Sequence, residues 1–242
     1  MTGIILAAGS GRRLRIHKPK GMLNIGGKPL IEYSIKNLVK AGVNNIIIVT
    51  GFKSEVYEEW FMFDDRVNLV HNPEYANCGS LYSLYIGLKR AENDDVVILD
   101  SDIIYNWDEF SEFMQDKHKN SMLATNVPEG RHDACYIKTD LSDNLEKVSK
   151  NINYVNLKED EKSWEYIGIT KSSAQSIPLI IDYADNLFSS TGNLDHEYDY
   201  AFESIDQKYK VLRYLDYIWT EADDNIQLDY MTSIIYPKIT LI

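Results

Sequence analysis

The chain has 242 residues, a length that one large α/β core can fill without a second domain. Forty-four per cent of the residues are apolar and 26% are charged, ordinary globular values far from the composition that leaves a chain disordered. Lys plus Arg number 25 against 37 Asp plus Glu, and the resulting net charge of −12 opposes nonspecific binding to nucleic acid or anionic membrane. An anionic ligand therefore needs a local basic patch.

No run of 18 apolar residues is present, and Met1 to Leu6 lacks the basic region and cleavage signature of a signal peptide. A cytoplasmic protein without membrane insertion is expected. Cys78 and Cys135 make neither a disulfide framework nor a zinc pattern and are read as free thiols. Without internal repeats, low-complexity tracts or linkers, residues 1–242 are expected to form one domain.

Gly3 to Ala7 is a short apolar run that opens onto a glycine-rich segment, the pattern of a buried parallel strand. A helix follows from Pro29, with Ile31, Ile35, Leu38 and Val39 at helical spacing and Gly42 at its stop. Asn45–Thr50 reads as a second strand, Ser54–Phe61 as a helix, Val67–Val70 as a strand, Ser80–Ala91 as a helix and Val96–Leu99 as a strand ending in Asp100-Ser101-Asp102. This alternation predicts a doubly wound, mostly parallel, Rossmann-like sheet in a three-layer α/β/α fold, with ligands at the carboxyl ends of its strands. Beyond residue 120 shorter strands at 121–127, 134–139, 145–149, 165–170 and 210–214, with helices near 173–187 and 197–205, predict a mixed sheet. A last helix is expected over 224–235.

Ala7-Ala8-Gly9-Ser10-Gly11-Arg12-Arg13-Leu14 carries the strongest chemical signal. Its small residues let backbone N–H groups approach an anion, and Arg12, Arg13, Arg15, Lys18 and Lys20 put five cations within nine positions. A Walker A loop is absent, and the dinucleotide fingerprint lacks its third glycine where Leu14 stands. Neither an ATPase nor a dehydrogenase is indicated. The five histidines show no metal spacing and no Ser-His-Asp order stands out, so zinc chemistry and acyl transfer have no support.

The pattern L-A-A-G-x-G-x-R followed by Pro19-Lys20 resembles the nucleotidyltransferases that activate a phosphorylated small molecule with a nucleoside triphosphate. Ile25 to Glu32 and Asn72 to Leu84 look like two further segments of that family. Lys18 to Gly21, Gly79 to Tyr82, Ser101-Asp102, Tyr198 to Tyr200 and Trp219 to Asp224 look most like the 2-aminoethylphosphonate cytidylyltransferases, with phosphocholine cytidylyltransferases as near relatives. The likeness covers almost the whole chain, although the first hundred residues match only the wider superfamily.

That resemblance implies a nucleotide-binding half over 1–105 and an acceptor-binding half over 106–242. Leu6, Ala7, Ala8, Gly9, Ser10, Gly11 and Arg12, with Asn77, Gly79, Ser80 and Ser101, would contact the nucleotide, and Arg13 and Lys20 would be catalytic. Ser80 could equally cap the helix it starts. Mg²⁺ is the expected cofactor, held by Asp102 and by Asp223 of the late E-x-D segment, while Asp100 could simply cap its turn and Asp224 the last helix. An acceptor ammonium would meet Asp195, Glu197, Asp199 or Glu221, whereas a choline head would need rings from Tyr136, Tyr198, Tyr200 or Trp219. Arg131 and Lys150 are candidates for the acceptor's phosphorus group. The expected partners are CTP and a small amino-phosphonate or amino-phosphate, and the expected reaction is CMP transfer to 2-aminoethylphosphonate for conjugation to lipid or glycan. Phosphocholine, a sugar 1-phosphate and a non-catalytic nucleotide-binding module are the alternatives. Oligomeric state is left open, a homodimer included.

Overall fold

The computed structural model describes residues 1–91, 94–127, 134–156 and 164–240. The first half runs β1 (Thr2–Ala7), β2 (Asn24–Ile25), β3 (Lys28–Pro29), α1 (Ile31–Lys40), β4 (Asn45–Thr50), α2 (Ser54–Phe61), β5 (Val67–His71), α3 (Ser80–Arg90), β6 (Val96–Asp100) and β7 (Ile103–Tyr105). It continues with α4 (Trp107–Gln115), β8 (Ser121–Asn126), β9 (Cys135–Thr139), β10 (Leu145–Ser149), α5 (Ile152–Val155), β11 (Trp164–Ser172), α6 (Ser176–Thr191), α7 (Asp199–Ser204), β12 (Lys210–Tyr214), β13 (Trp219–Glu221), α8 (Asn225–Tyr230) and α9 (Tyr236–Thr240).

β1 lies in the middle of the sheet, parallel to β4 on one side and β6 on the other, with β5 parallel to β4. Alternate residues of these apolar strands feed opposite layers. Ile4, Ile47 and Ile98 pack with Leu81, Leu84 and Leu88 of α3 and with Ile177 and Ile180 of α6. Ile5, Ile48 and Leu99 pack with Ile31, Ile35 and Leu38 of α1 and with Phe110 and Phe113 of α4. Both faces are thus covered by helices, as a parallel sheet requires. This is the doubly wound three-layer architecture read from the sequence.

The second half adds antiparallel strands in the order β10-β9-β11-β6, with β8 also paired to β11 and β12 parallel to β8. β11 changes partner along its length: residues 169–172 pair with β6, and residues 164–166 pair with β9. Gly168 stands at the change with φ +79°, where a Cβ would lie 2.4 Å from a carboxylate oxygen of Asp100. Only glycine accepts both the left-handed backbone and that close approach.

α4 is not among the elements expected above, although Phe110 and Phe113 sit at helical spacing. The β7–β13 ribbon and the β2–β3 hairpin are likewise additions to the expected elements. The expected last helix is divided into α8, a π-helical turn over Met231–Ile235 and α9, and Asp224 caps α8 by accepting the Gln227 N–H at 2.9 Å. No helix among the described residues is long and apolar enough to cross a membrane.

Candidate active site

The carboxyl ends of β1 and β6 open onto a cavity of about 610 Å³. The loop after β1 brings Ala8, Gly9, Gly11 and Arg13 to its wall, and the turn that follows brings Lys20. The Lys20 ammonium joins two carboxylates from distant parts of the chain, bonding Asp102 Oδ2 at 2.6 Å and Asp223 Oδ1. Arg13 bonds the other oxygen of Asp223 at 2.5 Å. Asp223 arrives just after β13, and its backbone N–H is held by Gln227 Oε1 at 2.7 Å.

Burial alone would lower the Lys20 pKa, but the charges of Asp102 and Asp223 outweigh it and hold the ammonium above the ordinary lysine range. Burial pushes the Asp223 carboxyl up, and Lys20, Lys150 and Arg13 together bring it below its usual value. Burial would likewise lower Lys150, whereas Glu221 and Asp223 hold it above the usual lysine value. Asp100 is driven well above the carboxylate range by burial and by the neighbouring charge of Asp102. Asp199 is pushed up to about 6 by burial and by Glu197, against the hydrogen bond from Cys135.

Another wall comes from the N-terminus of α3 and the segment before α7. Gly79 N–H bonds Leu194 O at 2.9 Å, Leu81 N–H bonds His196 O at 2.9 Å, and the Tyr198 N–H bonds Ser80 Oγ at 3.0 Å. The Ser80 hydroxyl donates to Glu197. A Cβ on residue 79 would come within 2.3 Å of the His196 carbonyl oxygen, so only glycine permits the contact. Asp195, Glu197, Asp199, Tyr198 and Tyr200 reach the cavity from this segment, joined by Lys150, Trp219 and Glu221.

Most residues singled out from sequence therefore share one cavity, including Leu6, Gly79, Ser80 and Ser101. Several do not. Ala7 is buried in the core beneath the loop, and Ser10 lines an adjoining cavity of about 380 Å³ with Arg15 and His17, Gly11 and Tyr75 bordering both. Asn77 is exposed and outside the wall, while the buried Asn72 pins this loop by bonding Ser83 Oγ at 3.0 Å. Tyr136 packs with Ala134 and Val155, because its strand position turns it into a small satellite core. Ser80 is the first residue of α3 and not its cap. Of the five clustered cations, Arg13 and Lys20 face the cavity, and Arg15 and Lys18 line other depressions. Arg131 and the Arg12 side chain lie outside the described residues. Asp100 lines the cavity, as do Glu165, Tyr166, Cys135 and Gly168, none of which the sequence reading placed there.

Among the described residues no group of three or more His, Cys, Asp or Glu side chains stands at metal-binding spacing. The donor set of Asp102 and Asp223 nevertheless suits Mg²⁺, which takes one or two carboxylates and completes its shell with water and substrate phosphate. The Lys20 ammonium marks the point where these two acids already hold a positive charge.

This architecture is the nucleotidyltransferase fold. The structure superimposes on the inositol-1-phosphate CTP transferase from T. maritima with a TM-score of 0.80, at 19% identity over 99% of this chain and 94% of that one. It superimposes on CTP:phosphocholine cytidylyltransferase from Streptococcus pneumoniae with a TM-score of 0.77, at 23% identity over 96% and 98% of the two chains. The chain belongs to the MobA-like NTP transferase domain family, whose match covers residues 3–160. It is 26% identical to the CTP:phosphoglutamine cytidylyltransferase of Campylobacter jejuni over 92% of this chain and 96% of that protein. It is 38% identical to the choline-phosphate cytidylyltransferase of Streptococcus pneumoniae over 44% of this chain, an alignment that spans about half of that relative, 47% of its length.

Proposed function

We propose that this protein is a cytidylyltransferase that transfers CMP from CTP to 2-aminoethylphosphonate with release of pyrophosphate. The observation that carries the reading is the presence, in one cavity, of a Lys20 ammonium shared by Asp102 and Asp223 and of a second set of acids on the 195–199 segment. The first grouping suits a triphosphate and its counter-ion. The second suits a cationic head on the acceptor.

An ionised phosphonate oxygen is already a nucleophile at neutral pH. It attacks the α-phosphorus of CTP in line, a new P–O bond forms, and the bond to the β-phosphate oxygen breaks with its electron pair leaving on pyrophosphate. Catalysis then reduces to positioning and charge stabilisation. In this scheme Lys20 and Arg13 offset charge on the leaving pyrophosphate, and Lys150 holds the acceptor's anion. Asp102 and Asp223 would hold Mg²⁺, which neutralises triphosphate charge when bound. Ala8 and Gly9 of the loop after β1 line the cavity, and their backbone groups would supply amide donors and carbonyl acceptors to read cytosine, in keeping with relatives of the chain that use CTP.

The amine is read by acids in preference to rings. A primary ammonium offers three N–H donors and needs acceptors, which Asp195, Glu197 and Asp199 supply. A trimethylammonium needs open aromatic faces. Tyr198 packs edge-on against Phe202 and Tyr166, and Tyr200 against Tyr154, so these rings are already engaged. Phosphocholine remains the second reading, favoured by Trp219 in the same wall and by the choline-phosphate relatives. Direct competition between 2-aminoethylphosphonate and phosphocholine in a pyrophosphate-release assay tests the choice. The reading expects the phosphonate to win by tenfold or more in kcat/KM, and a preference for phosphocholine would replace the acceptor while keeping the chemistry.

A further inference from the structure

We propose that Ser80 is a positioning residue for the acceptor's amine site, and that it acts through Glu197 and not through the nucleotide base. The proposal rests on the cytidylyltransferase reading for its kinetic part, and on contacts within the chain for its structural part.

A serine hydroxyl has one proton to donate. In Ser80 that proton goes to Glu197, and one oxygen lone pair receives the Tyr198 N–H at 3.0 Å. The hydroxyl has no second proton for a cytosine O2 or N3 unless Glu197 is released. The surrounding backbone points the same way. The N–H groups of Gly79 and Leu81 are taken by the carbonyls of Leu194 and His196, so the chain itself occupies two of the amides at this end of α3. A side chain at residue 79 would collide with the His196 backbone.

Four hydrogen bonds thus strap the 194–198 segment onto the first turn of α3, and Ser80 makes two of them. The strap joins α6 to α7 and carries Asp195 and Glu197, with Asp199 opening α7 directly behind Tyr198. Glu197 is exposed, and among the described residues its side chain is bonded by Ser80. Its aim into the cavity is set by Ser80. An incoming ammonium finds Glu197 already turned toward it, and the nucleotide is held elsewhere, by the loop after β1.

The experiment combines steady-state kinetics with amide hydrogen exchange on wild type, Ser80→Ala, Ser80→Thr and Glu197→Gln. In Ser80→Ala the proposal expects exchange at residues 194–199 to quicken about tenfold, KM for the amine acceptor to rise about tenfold, and KM for CTP to stay within about twofold. Ser80→Thr keeps the hydroxyl and restores both values. Glu197→Gln keeps an acceptor for that hydroxyl, so exchange of the strap stays as in wild type while KM for the amine rises. The result that overturns the proposal is a rise in KM for CTP with KM for the acceptor unmoved, or unchanged exchange at 194–199 in Ser80→Ala. If wild type turns over no acceptor at all, the activity reading fails, and the exchange data still decide whether Ser80 holds the strap.

Discussion

Replacing Lys20 by methionine removes the one positive charge that Asp102 and Asp223 share. The three side chains are 17%, 17% and 7% exposed, so water replaces little of what is lost. Two carboxylates that reach one ammonium lie within about 5 Å of each other, and at an effective dielectric of about 20 their repulsion there is about 3 kcal/mol. Arg13 relieves part of it through Asp223, although its side chain is 61% exposed and therefore screened. A net destabilisation of about 2 kcal/mol follows, which lowers Tm by about 5 °C for a chain of this size. Asp223 has a depressed pKa in the fold, so the stability it draws from Lys20 is present at neutral pH and fades as pH falls through the carboxylate range. The Tm gap between variant and wild type should accordingly narrow in acid. The catalytic loss is separate: one charge stabiliser removed from a transferring phosphoryl group costs about 3 kcal/mol, a hundredfold or more in kcat/KM. Pyrophosphate release and circular dichroism melts read the two effects. Calorimetry adds a third, since freeing the two acids should make Mn²⁺ bind the CTP-free variant more tightly than wild type. Turnover within tenfold of wild type together with an unchanged melt would refute the reasoning.

Asp199 gives a pH dependence. Its carboxyl is raised to about 6 by burial, so the fold favours its neutral form, and the stability this confers is complete below about pH 4 and lost as pH rises through about 6. Asp199→Asn should therefore melt higher than wild type at pH 8 and equally at pH 4. KM for the amine acceptor should fall more steeply between pH 5 and 7 in wild type than in the variant, the shared part of the slope coming from the acceptor's own phosphonate, and identical profiles would remove Asp199 from the amine site. Gly168→Ala places a methyl group against Asp100 at a backbone angle that alanine resists, and a loss of about 2 kcal/mol with a Tm fall of about 5 °C is expected. An alanine variant with wild-type melting would show that the turn in β11 does not depend on glycine.

The first half of the fold was legible because parallel strands buried on both faces are written as continuous apolar runs, such as Ile46 to Val49. The helix α4 was legible as well, through Phe110 and Phe113 at helical spacing and through Asn106 and Glu109 at its start, although the β7 that precedes it is short. The loop after β1 showed its composition and hid its geometry. Charge spacing cannot say which of Arg12, Arg13, Arg15, Lys18 and Lys20 face one cavity, since the left-handed turn at Arg15 and the 3₁₀ turns on either side send neighbours in different directions. Asp102 and Asp223, singled out by pattern, meet at the Lys20 ammonium, a pairing that their separation in the chain does not announce. The burial of Asp100 is not legible around residue 100, because its surroundings are set by Gly168, far away in the chain, where an isolated glycine inside β11 marks the change of partner but not what lies against it. The place of Ser80 was hidden for a similar reason, its partners lying on the strap before α7.

The central claim is the joining of CMP to an amino-phosphonate, and ³¹P NMR of the protein with CTP, Mg²⁺ and 2-aminoethylphosphonate tests it most directly. The account predicts pyrophosphate in step with a pair of coupled resonances from a new phosphonate–phosphate anhydride, formed with CTP and not with UTP or ATP. Unchanged CTP and phosphonate, or release of inorganic phosphate without a coupled product, would contradict it.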